Sequence, residues 1–371
     1  MRNDFYTRFN KGGKTSDSRE EYRGFNRPTP EPDIEITDEE KRVARRTYSR
    51  VGFALFSFSA VSYAVIFITY LALILFFRDK MEALTEDIYF SWIMNAVPMY
   101  LFAFPVLYLI LCKMKRTFRQ KAKLGLDEFV LLFFVSEFVL MVGNLIGLNI
   151  NSFLGVLLGR EIKNDVSELV SDSPLWLIVL IVVIIGPIVE ELIFRKLLID
   201  RLSLFGDMSA VLITSLAFGL FHGNLYQLFY ATGLGLILGY IYTKTRNILY
   251  PIAMHMIINL LGSVAVLPLA EMLTEFEGMA EIMATGGAVD YSRFIVIMNA
   301  ILTYVILEYG MAIAGAVILI KKLKSHSFYI SNRAELSLPR KKTAALATLN
   351  VGMILFIAVS LVQLALNIFT V

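Results

Sequence analysis

Long apolar runs, separated by short polar segments, constrain the fold of this 371-residue chain more than any other feature. The hydrocarbon core of a bilayer is about 30 Å thick, and a helix of roughly 20 apolar residues crosses it. The sequence is 57% hydrophobic and 18% charged, whereas soluble domains average about 25% charged residues. The sequence therefore predicts an all-α, polytopic helical membrane protein whose surroundings are the lipid bilayer, and no nucleic-acid partner is expected.

Nine segments are apolar enough to be predicted as transmembrane helices. They are 51–77, 92–112, 129–150, 175–195, 207–222, 225–242, 248–268, 294–320 and 346–370. Lysine and arginine residues concentrate on alternate sides of these spans, with large groups at 113–123 and 321–342. Because basic loops stay in the cytoplasm, this alternation predicts a cytoplasmic N-terminus.

The fifth predicted span, 207–222, is unusually short. A helix of that length reaches only about 24 Å at 1.5 Å per residue. The nine-span arrangement also puts Glu190 in the cytoplasmic half of its helix and His222 near the outer end of its own. For these side chains to meet, we expect the fifth span to be displaced, partly re-entrant or packed around a cavity.

Two adjacent glutamates, Glu190 and Glu191, interrupt the fourth predicted span within the stretch GPIVEELIFRKLL. Carboxylates at membrane depth are costly unless they are paired or hydrated, so they indicate function by default. Arg195 follows Glu191 by four positions, which on a helix places both side chains on one face as an ion pair. Glu190 is rotated by about 100° from Glu191 and is therefore free for another task.

Two of the three histidines fall in apolar segments downstream, His222 and His255. A desolvated carboxylate can act as general base on water, and Glu190 is the candidate. His222 could share that water or carry its proton to a leaving amine. His255 and Asn259 are four positions apart, so both point into one cavity and could hydrogen-bond an oxyanion.

Other interpretations of these residues remain open at this point. A single glutamate–arginine pair in a membrane is more often structural than catalytic, and a lone histidine on an apolar face usually only packs. A non-proteolytic membrane scaffold or immunity-type protein is one alternative function. A transporter with a proton-carrying carboxylate is another, although the internal repeat that many transporters show is not seen in this sequence.

The three polar motifs together resemble those of the CAAX prenyl protease and bacteriocin-processing (CPBP, Abi) family of intramembrane proteases. The family pattern is EExxxR, FxxxH and HxxxN. This chain has EELIFR at 190–195, FGLFH at 218–222 and HMIIN at 255–259. The resemblance covers about residues 174–268, and it implies proteolysis within the membrane.

The resemblance also implies roles for individual residues. Glu190 would activate water together with His222, His255 and Asn259 would bind the oxyanion, and Glu191 and Arg195 would support them. The chain is then organised into four predicted parts. These are a disordered cytoplasmic tail (1–49), N-terminal transmembrane helices (50–173), the catalytic helical core of spans four to seven (174–268) and C-terminal transmembrane helices (269–371).

A metal cofactor is not expected. Two glutamates and two histidines could bind zinc in principle, but the HExxH helix of zinc proteases is absent, and the family resembles a metal-free glutamate mechanism. Zinc is the alternative. The single cysteine, Cys112, leaves no internal disulfide and no cysteine cluster for a metal.

The expected substrate is a peptide or membrane protein, and the nine-span form favours a bacterial plasma membrane. Leader peptides, pheromones or membrane regulators then fit better than prenylated CAAX proteins. The sequence leaves the oligomeric state open.

Overall fold

Nine long helices form the protein in a computed structural model that describes residues 36–330, 334–336 and 338–369. Eight of them are long and apolar enough to cross a membrane, and the described residues contain no β-strand. The predicted all-α, polytopic membrane fold is therefore confirmed. The helices are α1 (Asp38–Phe76), α2 (Ile88–Cys112), α3 (Leu126–Leu158), α4 (Leu175–Phe205), α5 (Asp207–Phe221), α6 (Leu225–Thr245), α7 (Leu249–Ala284), α8 (Tyr291–Lys324) and α9 (Val351–Phe369). Short connecting helices are Arg78–Lys80, Met81–Thr85, Asp165–Ser171 and Arg340–Thr348.

The first helix begins earlier than predicted because its N-terminus has a complete capping box. The Thr37 hydroxyl accepts from the backbone N–H of Glu40 at 3.2 Å, and the Glu40 carboxylate accepts from the backbone N–H of Thr37 at 2.9 Å. The first turn also carries three acidic residues, beginning with Asp38. Their charge complements the positive end of the helix dipole.

The prediction of disorder is consequently wrong for residues 38–49. Ala44 and Tyr48 are buried, and the Tyr48 ring lies 5.0 Å from that of Phe205 in α4. The burial of Ala44 and Tyr48 orders the segment despite its polar composition. The rest of the predicted tail, residues 1–35, lies outside the described residues.

The short fifth span is present as α5, a helix of 15 residues. Glycines of α6 allow it to approach closely: a methyl group in place of a hydrogen on Gly239 would lie 2.8 Å from Val211 Cγ1, and one on Gly235 would lie 3.0 Å from Ser215 Cα. Small residues at such positions are typical of close helix packing in membranes. These contacts hold the first half of α5 against α6.

Four π-helical segments interrupt these helices. They are Pro98–Ala103 in α2, Val179–Ile185 and Leu192–Ile199 in α4, and Leu260–Val264 in α7. Such segments are rare and frequently mark functional sites. The two in α4 flank the short stretch Gly186–Glu191, which carries both glutamates.

The first and last helices, α1 and α9, cross where Gly52 meets Gly352. A methyl group on Gly352 would overlap the backbone carbonyl of Ser49, and one on Gly52 would overlap the backbone of Met353. Neither backbone can move aside without separating the helices. The crossing therefore requires glycine on both sides.

Replacing Gly352 by leucine is expected to destabilise the protein by about 1–3 kcal/mol, the usual effect of overpacking. The melting temperature of the detergent-solubilised protein measures this. Gly310→Leu in α8 is the matched control, because no described atom lies within 4 Å of a methyl group built there. Equal melting temperatures for the two variants would contradict the close crossing.

Candidate active site

Glu191 and Arg195 form the ion pair expected from their spacing. Arg195 Nε lies 3.0 Å from Glu191 Oε2, and both side chains are fully buried. The other carboxylate oxygen, Oε1, lies 3.0 Å from Nδ1 of His255. Because a carboxylate only accepts, His255 donates this hydrogen bond. Glu191 therefore connects its own helix, α4, to α7.

The Phe218 ring packs between the charged and imidazole groups of the site. The Arg195 guanidinium lies 4.8 Å from its centroid, in the range of a cation–π interaction. The rings of His222 and His255 meet Phe218 edge-on, with centroids 4.9 Å and 5.9 Å away. The first residue of the FxxxH motif thus positions both histidines and the arginine.

Glu190 occupies a more open position than its neighbour. Its side chain is 18% exposed, and its Oε2 lies 3.7 Å from Nε2 of His255, which is beyond a direct hydrogen bond. The carboxylate also interacts electrostatically with His222, Tyr100 and Tyr230. We call these five residues the Glu190 site. Its one carboxylate faces two imidazoles and two phenols.

His222 follows the last residue of α5, and local geometry fixes its ring. Nδ1 lies 2.7 Å from the carbonyl of Phe218 and donates to it, which leaves Nε2 able to accept or carry a proton. Gly223, with φ of 67°, reverses the chain. The Asn224 side chain then caps α6 by accepting from the backbone N–H of Gln227 at 2.9 Å. The FHGN sequence therefore ends one helix and begins the next at the site.

Asn259 connects α7 to α4 through the backbone. Its Nδ2 donates to the carbonyl of Val182 at 2.9 Å, within the π-helical segment Val179–Ile185. An asparagine amide has two N–H donors, so this bond occupies one of them. The role of Asn259 as an oxyanion donor stays a prediction.

The structure adds contacts among the predicted site residues, while their expected roles stay predictions. His255 was expected to act with Asn259 on an oxyanion, and His222 to act with Glu190. In the structure His255 contacts both Glu190 and Glu191, while His222 reaches Glu190 through electrostatic interaction. The two tyrosines of the Glu190 site, Tyr100 and Tyr230, were not predicted from the sequence, because neither belongs to one of the three motifs.

A second polar network lies at the C-terminal end of α4. The Asp200 carboxylate accepts from Tyr242 Oη at 2.7 Å, and Asp207 accepts from Arg119 at 2.7 Å and from Arg246. Three of the four core helices, α4, α5 and α6, meet in this network. It holds their ends together and so supports the register of the site.

Within the described part of the chain, no group of three or more His, Cys, Asp or Glu side chains is arranged to hold a metal ion. Glu191 and His255 already bind each other, and Glu191 also pairs with Arg195. That the reaction needs no metal stays a prediction.

Comparisons with known proteins match the same region. Residues 172–261 match the family model described as "Type II CAAX prenyl endopeptidase Rce1-like". Over 103 residues the chain is 34% identical to "Putative membrane peptidase YdiL" of Bacillus subtilis (strain 168), which is 28% of this chain and 42% of that protein. The chain thus spans about two fifths of the length of this relative. No solved structure matches the chain. Because the matched segment contains all three motifs, the predicted resemblance to the CAAX prenyl protease and bacteriocin-processing family is confirmed over residues 172–261.

Proposed function

We propose that this protein is an intramembrane endopeptidase that hydrolyses a peptide bond of a membrane-associated protein or peptide. Glu190 activates the attacking water. The observation that carries the proposal is a partly exposed carboxylate inside a spanning helix, 3.7 Å from the Nε2 of His255 and interacting with His222. The match of this segment to a prenyl endopeptidase family supports it.

The first chemical step is attack by water. Glu190 takes one proton from the water, and the water oxygen bonds to the carbonyl carbon of the substrate. The C–N bond then breaks, and the proton passes from Glu190 to the leaving amine, directly or through Nε2 of His222. Hydrolysis in this scheme consumes one water and needs no co-reactant.

The oxyanion of the tetrahedral intermediate requires hydrogen-bond donors. His255 supplies Nε2–H when both ring nitrogens carry protons, since Nδ1 donates to Glu191. The second N–H of the Asn259 amide completes the pair of donors that the family resemblance implies.

The location and substrate class are part of the same proposal. We place the protein in a bacterial plasma membrane with its N-terminus in the cytoplasm, on the basis of its basic loops. A relative from Bacillus subtilis supports this. The substrates we propose are membrane-associated peptides or regulators without a prenyl group.

The proposal is tested by comparing N-terminal peptides in cells that lack the native gene and express wild type, Glu190→Gln or Glu308→Gln at matched abundance. Glu308 in α8 is the control, an acidic residue of another spanning helix outside the Glu190 site. Specific new termini are expected with wild type and Glu308→Gln and not with Glu190→Gln. If wild type and Glu190→Gln give the same termini, and only cells without the protein differ, the scaffold alternative replaces the protease.

A further inference from the structure

A tyrosine from outside the matched segment reaches the Glu190 site. A methyl group on Gly186 would lie 3.4 Å from the hydroxyl oxygen of Tyr100 and 4.0 Å from Oε1 of Glu190. The phenol and the carboxylate therefore border the same small space, which Gly186 leaves open.

The local fold of α2 directs Tyr100 inward. The residue lies in the π-helical segment Pro98–Ala103, where Pro98 has no N–H to continue the regular helix. Two other tyrosines of the same helix, Tyr89 and Tyr108, are 47% and 49% exposed, whereas Tyr100 is half-buried. Burying a phenol hydroxyl among apolar side chains is costly unless the hydroxyl has a polar partner. The Glu190 site offers such a partner in the carboxylate of Glu190.

An oxyanion can accept a hydrogen bond beyond those proposed for His255 and Asn259, each of which has one donor left. Asn259 already uses one N–H on the carbonyl of Val182, and His255 uses Nδ1 on Glu191. A tyrosine hydroxyl is a neutral donor that can bind an oxyanion. It lies on the Oε1 side of Glu190, whereas His255 lies on the Oε2 side.

We propose that Tyr100 is a further catalytic residue, whose hydroxyl donates a hydrogen bond to the oxyanion formed when water attacks the peptide carbonyl. This inference rests on the proposed protease function. Tyr100 takes up no proton and forms no covalent bond, because it stabilises the oxyanion only by donating a hydrogen bond. The N-terminal helices then complete the active site that residues 172–261 begin.

The test uses purified protein in lipid vesicles and a synthetic, internally quenched peptide that spans a cleavage site found in the comparison of termini. Tyr100→Phe keeps the ring and removes only the hydroxyl. We expect kcat to fall about 10²-fold with KM unchanged, as for the loss of one oxyanion donor. Tyr89→Phe is the matched control on the same helix, and it should cleave like wild type.

The outcomes separate the inference from the function on which it rests. If wild type cleaves, Glu190→Gln does not, and Tyr100→Phe matches wild type, the role of Tyr100 is overturned and the protease stands. A raised KM with unchanged kcat also overturns it, because it indicates substrate binding only. If neither wild type nor Glu190→Gln yields specific termini, the protease proposal and this inference both fall.

A second variant keeps the proposal testable if Tyr100→Phe does not fold. Incorporating 3,5-difluorotyrosine at position 100 preserves shape and hydroxyl but makes the phenol more acidic. A donor must keep its proton, so the loss of activity at high pH should begin at a lower pH than in wild type. An unchanged pH profile would overturn the assignment.

Discussion

Replacing Glu190 by glutamine is expected to slow peptide cleavage by about 10²–10⁴-fold, the usual contribution of a general base. Glutamine has nearly the same size, but its amide cannot take a proton from water. The fold should persist, because the Glu190 side chain is 18% exposed and its Oε2 lies 3.7 Å from Nε2 of His255, beyond a direct hydrogen bond. The rate is measured with purified protein in vesicles, and the melting temperature is measured on the same sample.

The control for this substitution is Glu308→Gln, which removes a carboxylate from a different spanning helix, α8. It should leave the cleavage rate close to that of wild type. A Glu190→Gln protein that folds and still cleaves at the wild-type rate would show that another group activates the water.

The second large effect is expected from Arg195→Met. Methionine fills much of the same volume but leaves the Glu191 charge buried, with only His255 as a partner. Removing one member of a buried ion pair costs about 3–5 kcal/mol. We therefore expect a large drop in melting temperature and in the yield of folded protein from size-exclusion chromatography.

Two further variants separate the effect of the unpaired Glu191 charge from the effect of the change in side-chain volume. Glu191→Gln combined with Arg195→Met removes both buried charges and should recover part of the lost stability. Arg293→Met breaks an exposed pair in which Nη2 of Arg293 lies 2.7 Å from Oε2 of Glu275, and it should lower the melting temperature far less than Arg195→Met. If Arg195→Met melts like wild type, the buried pair does not stabilise the core as described.

Local spacing predicted the features of the site that depend on a single helix. A separation of four residues puts Glu191 and Arg195 on one face, and their atoms lie 3.0 Å apart. Helix length predicted that the fifth span would be short, and α5 has 15 residues. Both inferences needed only the geometry of one regular helix.

Contacts between distant helices could not be predicted in this way. The bond of His255 to Glu191 joins residues 64 positions apart, and Tyr100 reaches the site from α2. The π-helical segments change which residues share a face, so a regular period of 3.6 residues does not describe α4. A tyrosine two residues after a proline within an apolar span was the only signal for Tyr100, and it is a weak one.

The early start of α1 had a clearer signal. The sequence Thr37-Asp-Glu-Glu40 has the S/T-x-x-E form of a capping box. Average composition over residues 1–49 concealed it, because the polar and proline-rich part of that segment dominates the mean. This local motif, which the prediction did not use, marks the helix boundary better than composition does.

The most direct measurement of the central claim is a single-turnover cleavage in water enriched in ¹⁸O, followed by mass spectrometry of the peptide product and of the protein. Attack by a water that Glu190 activates predicts one ¹⁸O atom in the new peptide carboxylate, an unlabelled Glu190 and no covalent adduct on the protein. A peptide adduct on the protein, or ¹⁸O in the Glu190 carboxylate, would contradict general-base catalysis, because either result requires a covalent intermediate.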